Sequence, residues 1–162
     1  MALVDLHGRE DEVAVRLLLR LAAGSRASAQ EAARRYATKE WLLIGWEEAG
    51  EIVGCVGISR EGEDTLELHS VAVANDWQSR GIGRALIEAL VEVADRAAVV
   101  AETDEDGAGF YHSCGFEVEA AAPKAGRARF RCLRGPGAGP VPRAQPGIIL
   151  GEIEQAIRRL GR

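Results

Sequence analysis

The sequence predicts a single α/β (α+β) domain around a mixed, mostly antiparallel sheet, and three stretches carry that prediction. The first, Leu66 to Leu90, reads as a strand, a turn, a glycine loop and the start of a helix in one run. Before it, Trp41 to Trp46 and Ile52 to Ser59 flank the polar turn Glu47 to Glu51, which is the pattern of a hairpin. After it, Ala98 to Glu102 is a short apolar run of the kind that forms a buried parallel strand. A chain of 162 residues, 47% hydrophobic and 28% charged, has material for one sizeable core. Its formal charge of −5 argues against a nucleic-acid partner and favours a cationic substrate.

From the N-terminus, residues 3 to 6 suit a short strand that His7 and Gly8 end. Val13, Leu17, Leu18 and Leu21 have helical spacing, with Asp11 and Glu12 in the first turn and Gly24 as the stop. Ser28, with Glu31 three residues on, reads as the cap of a second helix that ends near Tyr36 or Ala37. The hairpin follows, then a turn at Glu61 to Asp64, then the strand Leu66 to Val73. Alternation puts Leu66, Leu68, Ser70 and Ala72 on one face of that strand and Glu67, His69, Val71 and Val73 on the other.

Asn75 and Asp76 supply turn chemistry. Ile82, Leu86, Leu90, Val93 and Ala97 continue as a helix, supported by the pairs Arg84–Glu88 and Glu92–Arg96 on its exposed side. Past Ala98 to Glu102, an acidic loop leads into a short helix that Gly115 ends in a left-handed conformation. Two strands close the order, one starting at Phe116 and one over Arg127 to Leu133. In the second, Ala128, Phe130 and Cys132 alternate with Arg127, Arg129 and Arg131, a basic face read as solvated.

Composition then changes sharply. Residues 1–134 form the expected domain, 135–147 a linker rich in proline and glycine, and 148–162 an amphipathic helix with Ile149, Ile153, Ala156 and Leu160 in one apolar stripe. That stripe folds back on the domain or docks on a second subunit of a homodimer; the sequence favours neither. Cys55, Cys114 and Cys132, like His7, His69 and His112, are unclustered, so no metal site is expected. The odd cysteine count, with no signal peptide and no membrane-length apolar run, leads to the expectation of a cytoplasmic protein without a membrane partner.

Ligand chemistry concentrates in the loop Gln78 to Arg84. Gly81 and Gly83 let backbone approach a ligand closely, and the free N–H groups of a helix start attract phosphate oxygens. A simple turn is the plain alternative. A dinucleotide fold needs GxGxxG directly behind its strand, whereas Leu86 stands at the third glycine position. Glu102 is suitably spaced for a ribose carboxylate, which keeps an NAD-dependent oxidoreductase as a lesser alternative. No GK[ST] follows, so the P-loop pattern is absent.

The run Gln78 to Gly83 matches the Q/R-x-x-G-x-G/A signature of the GNAT superfamily of acetyl-CoA-dependent N-acetyltransferases, and Phe110 to Phe116, FYHSCGF, is similar to that family's FYxxxGF segment. The resemblance spans roughly residues 40 to 134 in layout and 66 to 116 by motif. It implies a sheet with helices on both faces, splayed between its fourth and fifth strands, with acetyl-CoA in the gap. It also implies cofactor contacts from Val71, Ala72 and Val73, from Gln78, Ser79, Arg80, Gly81, Ile82, Gly83 and Arg84, and from Asp104 and Tyr111. Two positions depart from the family pattern. Asn75 replaces a common proline, and Asp104 replaces a common asparagine, where a carboxylate either repels the coenzyme's phosphates or recognises a cationic acceptor.

The implied reaction moves an acetyl group to a primary amine by direct attack. A protonated amine must first lose a proton, and Glu67 and His69 occupy strand positions that supply the base in resembling enzymes. Glu67 is slightly favoured, a structural ion pair and a core histidine being the plain alternatives. Tyr111 resembles the family's tyrosine that protonates the departing thiolate, and a strand N–H near Val71 would meet the developing oxyanion. The two N-terminal helices and the loop Ala23 to Ala27 would wall the acceptor, a small-molecule or peptide amine that the sequence does not name. The second reading is a coenzyme-binding regulatory or interaction protein without turnover.

Overall fold

A computed structural model describes residues 2–61, 64–94 and 97–135. The elements run β1 (Ala2–Asp5), α1 (Val13–Ala23), α2 (Arg26–Ala37), β2 (Leu42–Glu48), β3 (Glu51–Arg60), β4 (Thr65–Val73), a 3-10 turn (Asn75–Trp77), α3 (Ile82–Ala94), β5 (Ala98–Thr103), α4 (Glu105–Ser113), β6 (Glu117–Lys124) and β7 (Arg127–Arg134). Seven strands form one sheet in the order β1-β2-β3-β4-β5-β7-β6. Only β4 and β5 run parallel. The expected linker beyond Gly135, the C-terminal helix, the Glu92–Arg96 pair and the place of Val93 in the α3 stripe lie outside the described residues.

Each face of the sheet buries its own cluster. Leu86, Ile87 and Leu90 of α3, with Tyr111 of α4 and its C-cap Cys114, pack on Ile44, Val56, Ile58, Leu66 and Leu68. Val15, Leu18 and Leu19 of α1, with Ala32 and Tyr36 of α2, pack on Leu43, Cys55 and Ala72. Neighbouring strand residues such as Leu43 and Ile44, or Cys55 and Val56, thus serve opposite faces, as the pleat requires. The hairpin turn is the two-residue Ala49-Gly50, both at positive φ, which matches the twist of β2 and β3.

Several expectations are corrected. α1 begins after Asp11 and Glu12 instead of including them, and its buried face is Val15, Leu18 and Leu19; Val13, Leu17 and Leu21 are 70%, 60% and 47% exposed. α2 is capped by Ser25, whose hydroxyl accepts from the Ser28 N–H, so the cap lies three residues earlier than expected and the α1–α2 connection shrinks to Gly24 and Ser25. Glu31, freed from a capping role, pairs with Arg34 and Arg35. On β7, Ala128 is exposed and Arg129 half-buried. Arg134 was not singled out by sequence, yet it is buried, donating to Glu88 at 2.7 Å and to the Cys114 carbonyl at 2.9 Å, and so ties β7 to α3 and α4.

Strand β4 carries the correction that matters most for function. Ile58 pairs with Leu68 and Gly57 with Ser70, so His69 is an extra residue without a counterpart on β3, a β-bulge. The bulge reverses the alternation. Leu66 and Leu68 face α3, but beyond His69 it is Val71 and Val73 that pack on the α3 side while Ala72 joins the α1–α2 side. Glu67 and His69 therefore do not share a face with Val71 and Val73. At the same place β5 leaves β4, the last parallel pair being Leu68 with Ala101, and the two strands part as expected.

Candidate active site

Beyond Leu68 the β5-side edge of β4 has no strand partner among the described residues, and a cleft of about 480 Å³ opens there. Its walls are Val71, Ala72 and Val73 from β4, Trp77 to Ser79 and Gly81 to Arg84 from the loop and the start of α3, Phe110 and Ser113 from α4, and Leu21 from α1. Most of the residues expected to hold a cofactor are thus brought together. The loop is tied down by Gln78, whose amide donates to the Val73 carbonyl at 3.0 Å and to Asn75 at 3.2 Å. Arg80 stacks its guanidinium over Trp77, 4.6 Å from the ring centre, and donates to the Asp76 carbonyl.

Ser79 and Gly81 both adopt positive φ, 64° and 83°, with Arg80 between them on the negative side. A residue of negative φ set between two of positive φ is a turn pattern found in anion nests. Ala85 donates to the Gly81 carbonyl, so the N–H groups of Ile82, Gly83 and Arg84 precede the first bond of α3 and lie at the positive end of its dipole. A Cβ on Gly81 would meet nothing within 4 Å, so this glycine serves its backbone conformation and keeps the concavity open; on Gly83 a Cβ would press the Phe110 ring at 3.3 Å. Donors of this kind, beside the cationic Arg84, suit a pyrophosphate. Asp104 is absent from these walls: its carboxylate caps α4 by accepting from Gly107 at 3.0 Å.

A second group of side chains lies upstream on β4, on the α2 side of the bulge. The His69 ring stacks on Trp41 at 3.7 Å and 9°, and its Nε2 lies 2.7 Å from the Ser59 hydroxyl. Burial pushes His69 down to about 4, with Glu61 opposing that shift and Arg35 adding to it, so the ring is neutral near pH 7. Glu67 lies 3.8 Å from His69 Nδ1 with 31% of its side chain exposed. Burial, a hydrogen bond with Glu61 and the charges of Glu61 and Glu102 push its carboxyl up to about 7, against the pull of Arg131. A carboxylate tuned to neutrality at the fork of two strands is suited to accepting a proton.

Residues 39–118 match the sequence profile described as Acetyltransferase (GNAT) domain. The chain belongs to the GNAT superfamily. It is 39% identical over 90 residues to the N-alpha-acetyltransferase RimI of Mycobacterium tuberculosis, a match that takes in 52% of this chain and 57% of the relative, so the chain spans little more than half of that protein. An N-acetyltransferase of Bacillus methanolicus is 27% identical over 86 residues, covering 52% of this chain and 70% of the relative. Among solved structures, aminoglycoside 6'-acetyltransferase type Ii superposes with a TM-score of 0.66 at 24% identity, over 88% of this chain and all of the other. A GNAT acetyltransferase of Elizabethkingia anophelis with acetyl-CoA bound superposes with a TM-score of 0.62 at 19% identity, over 82% of this chain and 95% of that one.

Set against the GNAT reading of the sequence, the loop residues and the end of β4 converge on one cleft, whereas Glu67 and His69 form a separate cluster about the bulge. Tyr111 stands apart from both. It is buried among Phe110, Phe116, Cys114 and Cys132, its phenol held above its usual pKa by burial, and Phe110 lines the cleft in its place. Sequence reasoning missed Trp41, Ser59 and Glu61 around the base candidates. Their signal in the sequence was the run of adjacent strands, which sets β2 beside β3 and β3 beside β4.

Proposed function

We propose that the protein is an N-acetyltransferase that moves an acetyl group from acetyl-CoA to a primary amine, with the Ser79–Arg84 nest at the mouth of the β4–β5 fork as the observation that carries the reading. The backbone N–H groups of this nest and Arg84 bind the pyrophosphate, and the free edge of β4 near Val71 orients the rest of the coenzyme and offers an N–H to the carbonyl oxygen. When bound, acetyl-CoA supplies an activated thioester carbon.

Glu67 is the general base. At about 7 its carboxyl is in part ionised at neutral pH, so it can take a proton from an ammonium acceptor, directly or through one water. His69, held neutral and fixed by Ser59 and Trp41, lies 3.8 Å from that carboxylate, beyond hydrogen-bond reach. The acceptor is a small-molecule or peptide amine of cationic character, which the acidic balance of the chain supports. Among the described residues no helix is long and apolar enough to cross a membrane. Three free, buried cysteines support a reducing, cytoplasmic setting.

Tyr111 is assigned the proton return to the thiolate, and its burial favours a second reading, a coenzyme-binding protein without turnover. Tyr111→Phe tests that role. The enzyme reading expects kcat to fall by about 100-fold with coenzyme affinity unchanged; an unchanged kcat assigns Tyr111 to packing alone. For the function as a whole, thermal unfolding with acetyl-CoA, free CoA or NAD is the test. A stabilisation of roughly 2.7 kcal/mol at about 100 times Kd is expected with both coenzymes, followed by thiol release with an amine panel. Stabilisation by NAD alone would overturn the reading, and coenzyme binding without thiol release would favour the second one.

A further inference from the structure

Arg127, Arg129 and Arg131 of β7 are not alike. Arg127 is exposed at the start of the strand, and Arg131 stands in register with Glu102 of β5 and Glu119 of β6. Arg131 thus has a carboxylate residue on either side and acts on Glu67 as well. Arg129 is half-buried, stands opposite Ala121 and forms no ion pair with another described residue. Its Nε is shut off from water and has no hydrogen-bond partner. Asp104, which follows Thr103 on the strand paired with β7, uses its carboxylate on the Gly107 N–H. A buried charged donor without a partner is unfavourable, and it calls for one that the chain itself does not supply.

Strand register says where that partner lies. Leu68, Ala101 and Cys132 are level across β4, β5 and β7. Three residues further, β4 reaches Val71 while β7, running the other way, reaches Arg129. Arg129 therefore stands beside the fork, level with the edge of β4 that offers an N–H to the thioester carbonyl. Two strand spacings, about 10 Å before the strands part, separate the two backbones. Alternation fixes the face as well. Ala101 and Cys132 belong to the core beneath α3 and α4, so Glu102, Arg131 and Arg129 stand on the opposite face, the one that carries Glu67. The base candidate and the orphaned guanidinium border the same side of the fork.

The two borders differ in charge. Glu67, Glu61 and Glu102 gather at the β4–β5 end and suit an ammonium group. Arg129, across the fork, presents a guanidinium, the side chain best shaped to hold a carboxylate. Building on the acetyltransferase reading, we propose that the acceptor is a free amino acid, its amine beside Glu67 and its carboxylate held by Arg129. The long side chain of Arg129 and an amino acid together cover the distance across the fork. Peptide N-termini and polyamines, which bring no carboxylate to that place, are poorer acceptors.

The test is thiol release with a panel of amino acids and, for each, its carboxamide, in the wild type and in Arg129→Gln. Amine basicity differs within each pair but is common to both proteins, so it cancels when their preferences for acid over amide are compared. That preference is expected to fall by about 10- to 100-fold in Arg129→Gln, through a higher KM for the amino acid. Arg129→Lys keeps the charge without the planar fork; it is expected to lose part of the preference, and it carries the test if the glutamine variant does not fold. Arg131→Gln is expected to keep the preference. Stabilisation by acetyl-CoA on thermal unfolding checks that each variant is folded. An unchanged preference in the Arg129 variants, an equal loss in Arg131→Gln, or transfer to the amides alone would overturn the proposal and leave the acetyltransferase reading standing. Coenzyme binding with no thiol release from any amine would overturn both.

Discussion

The two halves of β4, divided at His69, do opposite things with the same kind of backbone. From Thr65 to Leu68 the strand is paired on both edges, to β3 and to β5, and Glu67 sits there among Glu61, Glu102 and Arg131 in a half-buried pocket that retunes its proton affinity. From Ser70 to Val73 it keeps β3 but loses β5, and its side chains and open edge become the wall of a cleft. One added residue separates a half that tunes acid–base groups from a half that lines an open cleft. A bulge does this cheaply, since it rotates every later side chain to the other face without lengthening the fold.

Four measurements break or sharpen that comparison. Glu67→Gln should cost about 100- to 1,000-fold in kcat/KM while leaving coenzyme affinity unchanged, because it touches only the upstream half. The wild-type kcat/KM should rise with pH and level off above about 7, where the Glu67 carboxylate forms, and the variant should lose that limb. An unaltered profile in Glu67→Gln would remove it as the base.

Gly81→Val acts on the downstream half alone. A branched side chain at φ 83° is strained and intrudes on the nest, so coenzyme binding should weaken by about 100-fold, roughly 2.7 kcal/mol, by calorimetry. Normal affinity in this variant would refute the loop as a phosphate site.

Gly57→Ala strikes the join itself. Gly57 faces Ser70 across the bulge, and a Cβ there would collide with the Tyr36 hydroxyl that holds the Ser70 Oγ at 2.7 Å. Overpacking of this kind costs about 1–3 kcal/mol, a fall of several degrees in Tm. Little change would mean that the Tyr36–Ser70 link does not anchor the bulge.

The smallest effect is on stability against pH, where Glu67 and His69 pull in opposite directions. Folded Glu67 keeps, up to about 7, a proton that the unfolded chain releases at its ordinary 4.5, so its contribution declines as pH rises between those values. Folded His69 refuses, down to about 4, a proton that the unfolded chain binds below 6.5, so its contribution declines as pH falls. Between 4.5 and 6.5 the two slopes oppose each other. Relative to wild type, Glu67→Gln should therefore gain in Tm as pH is raised through this window, and a constant difference would show that the carboxyl is not retuned.

Much of the fold was legible because it rests on local rules. The hairpin of β2 and β3, the glycine loop, the Gly24 and Gly115 stops and the short β5 all follow from turn chemistry and from runs of one polarity. Elsewhere the local signal was degenerate. Ser25 and Ser28 are both competent caps, and α1 is rich enough in apolar residues that Val13, Leu17 and Leu21 look as much like a core stripe as Val15, Leu18 and Leu19 do. Only contact with β3 and β4 selects between them.

By itself, then, the sequence determined that a glycine loop opening a helix follows a strand bearing Glu67 and His69, because dihedral preferences and backbone donors are properties of a few consecutive residues. Only the tertiary structure decided where those side chains look. The phase of β4 is set by its register against β3, the proton affinity of Glu67 by burial and then by Glu61, Glu102 and Arg131 brought from three other segments, and the burial of Tyr111 by the meeting of α4 with β6 and β7. Register, desolvation and charge all act through space, between residues far apart in the chain.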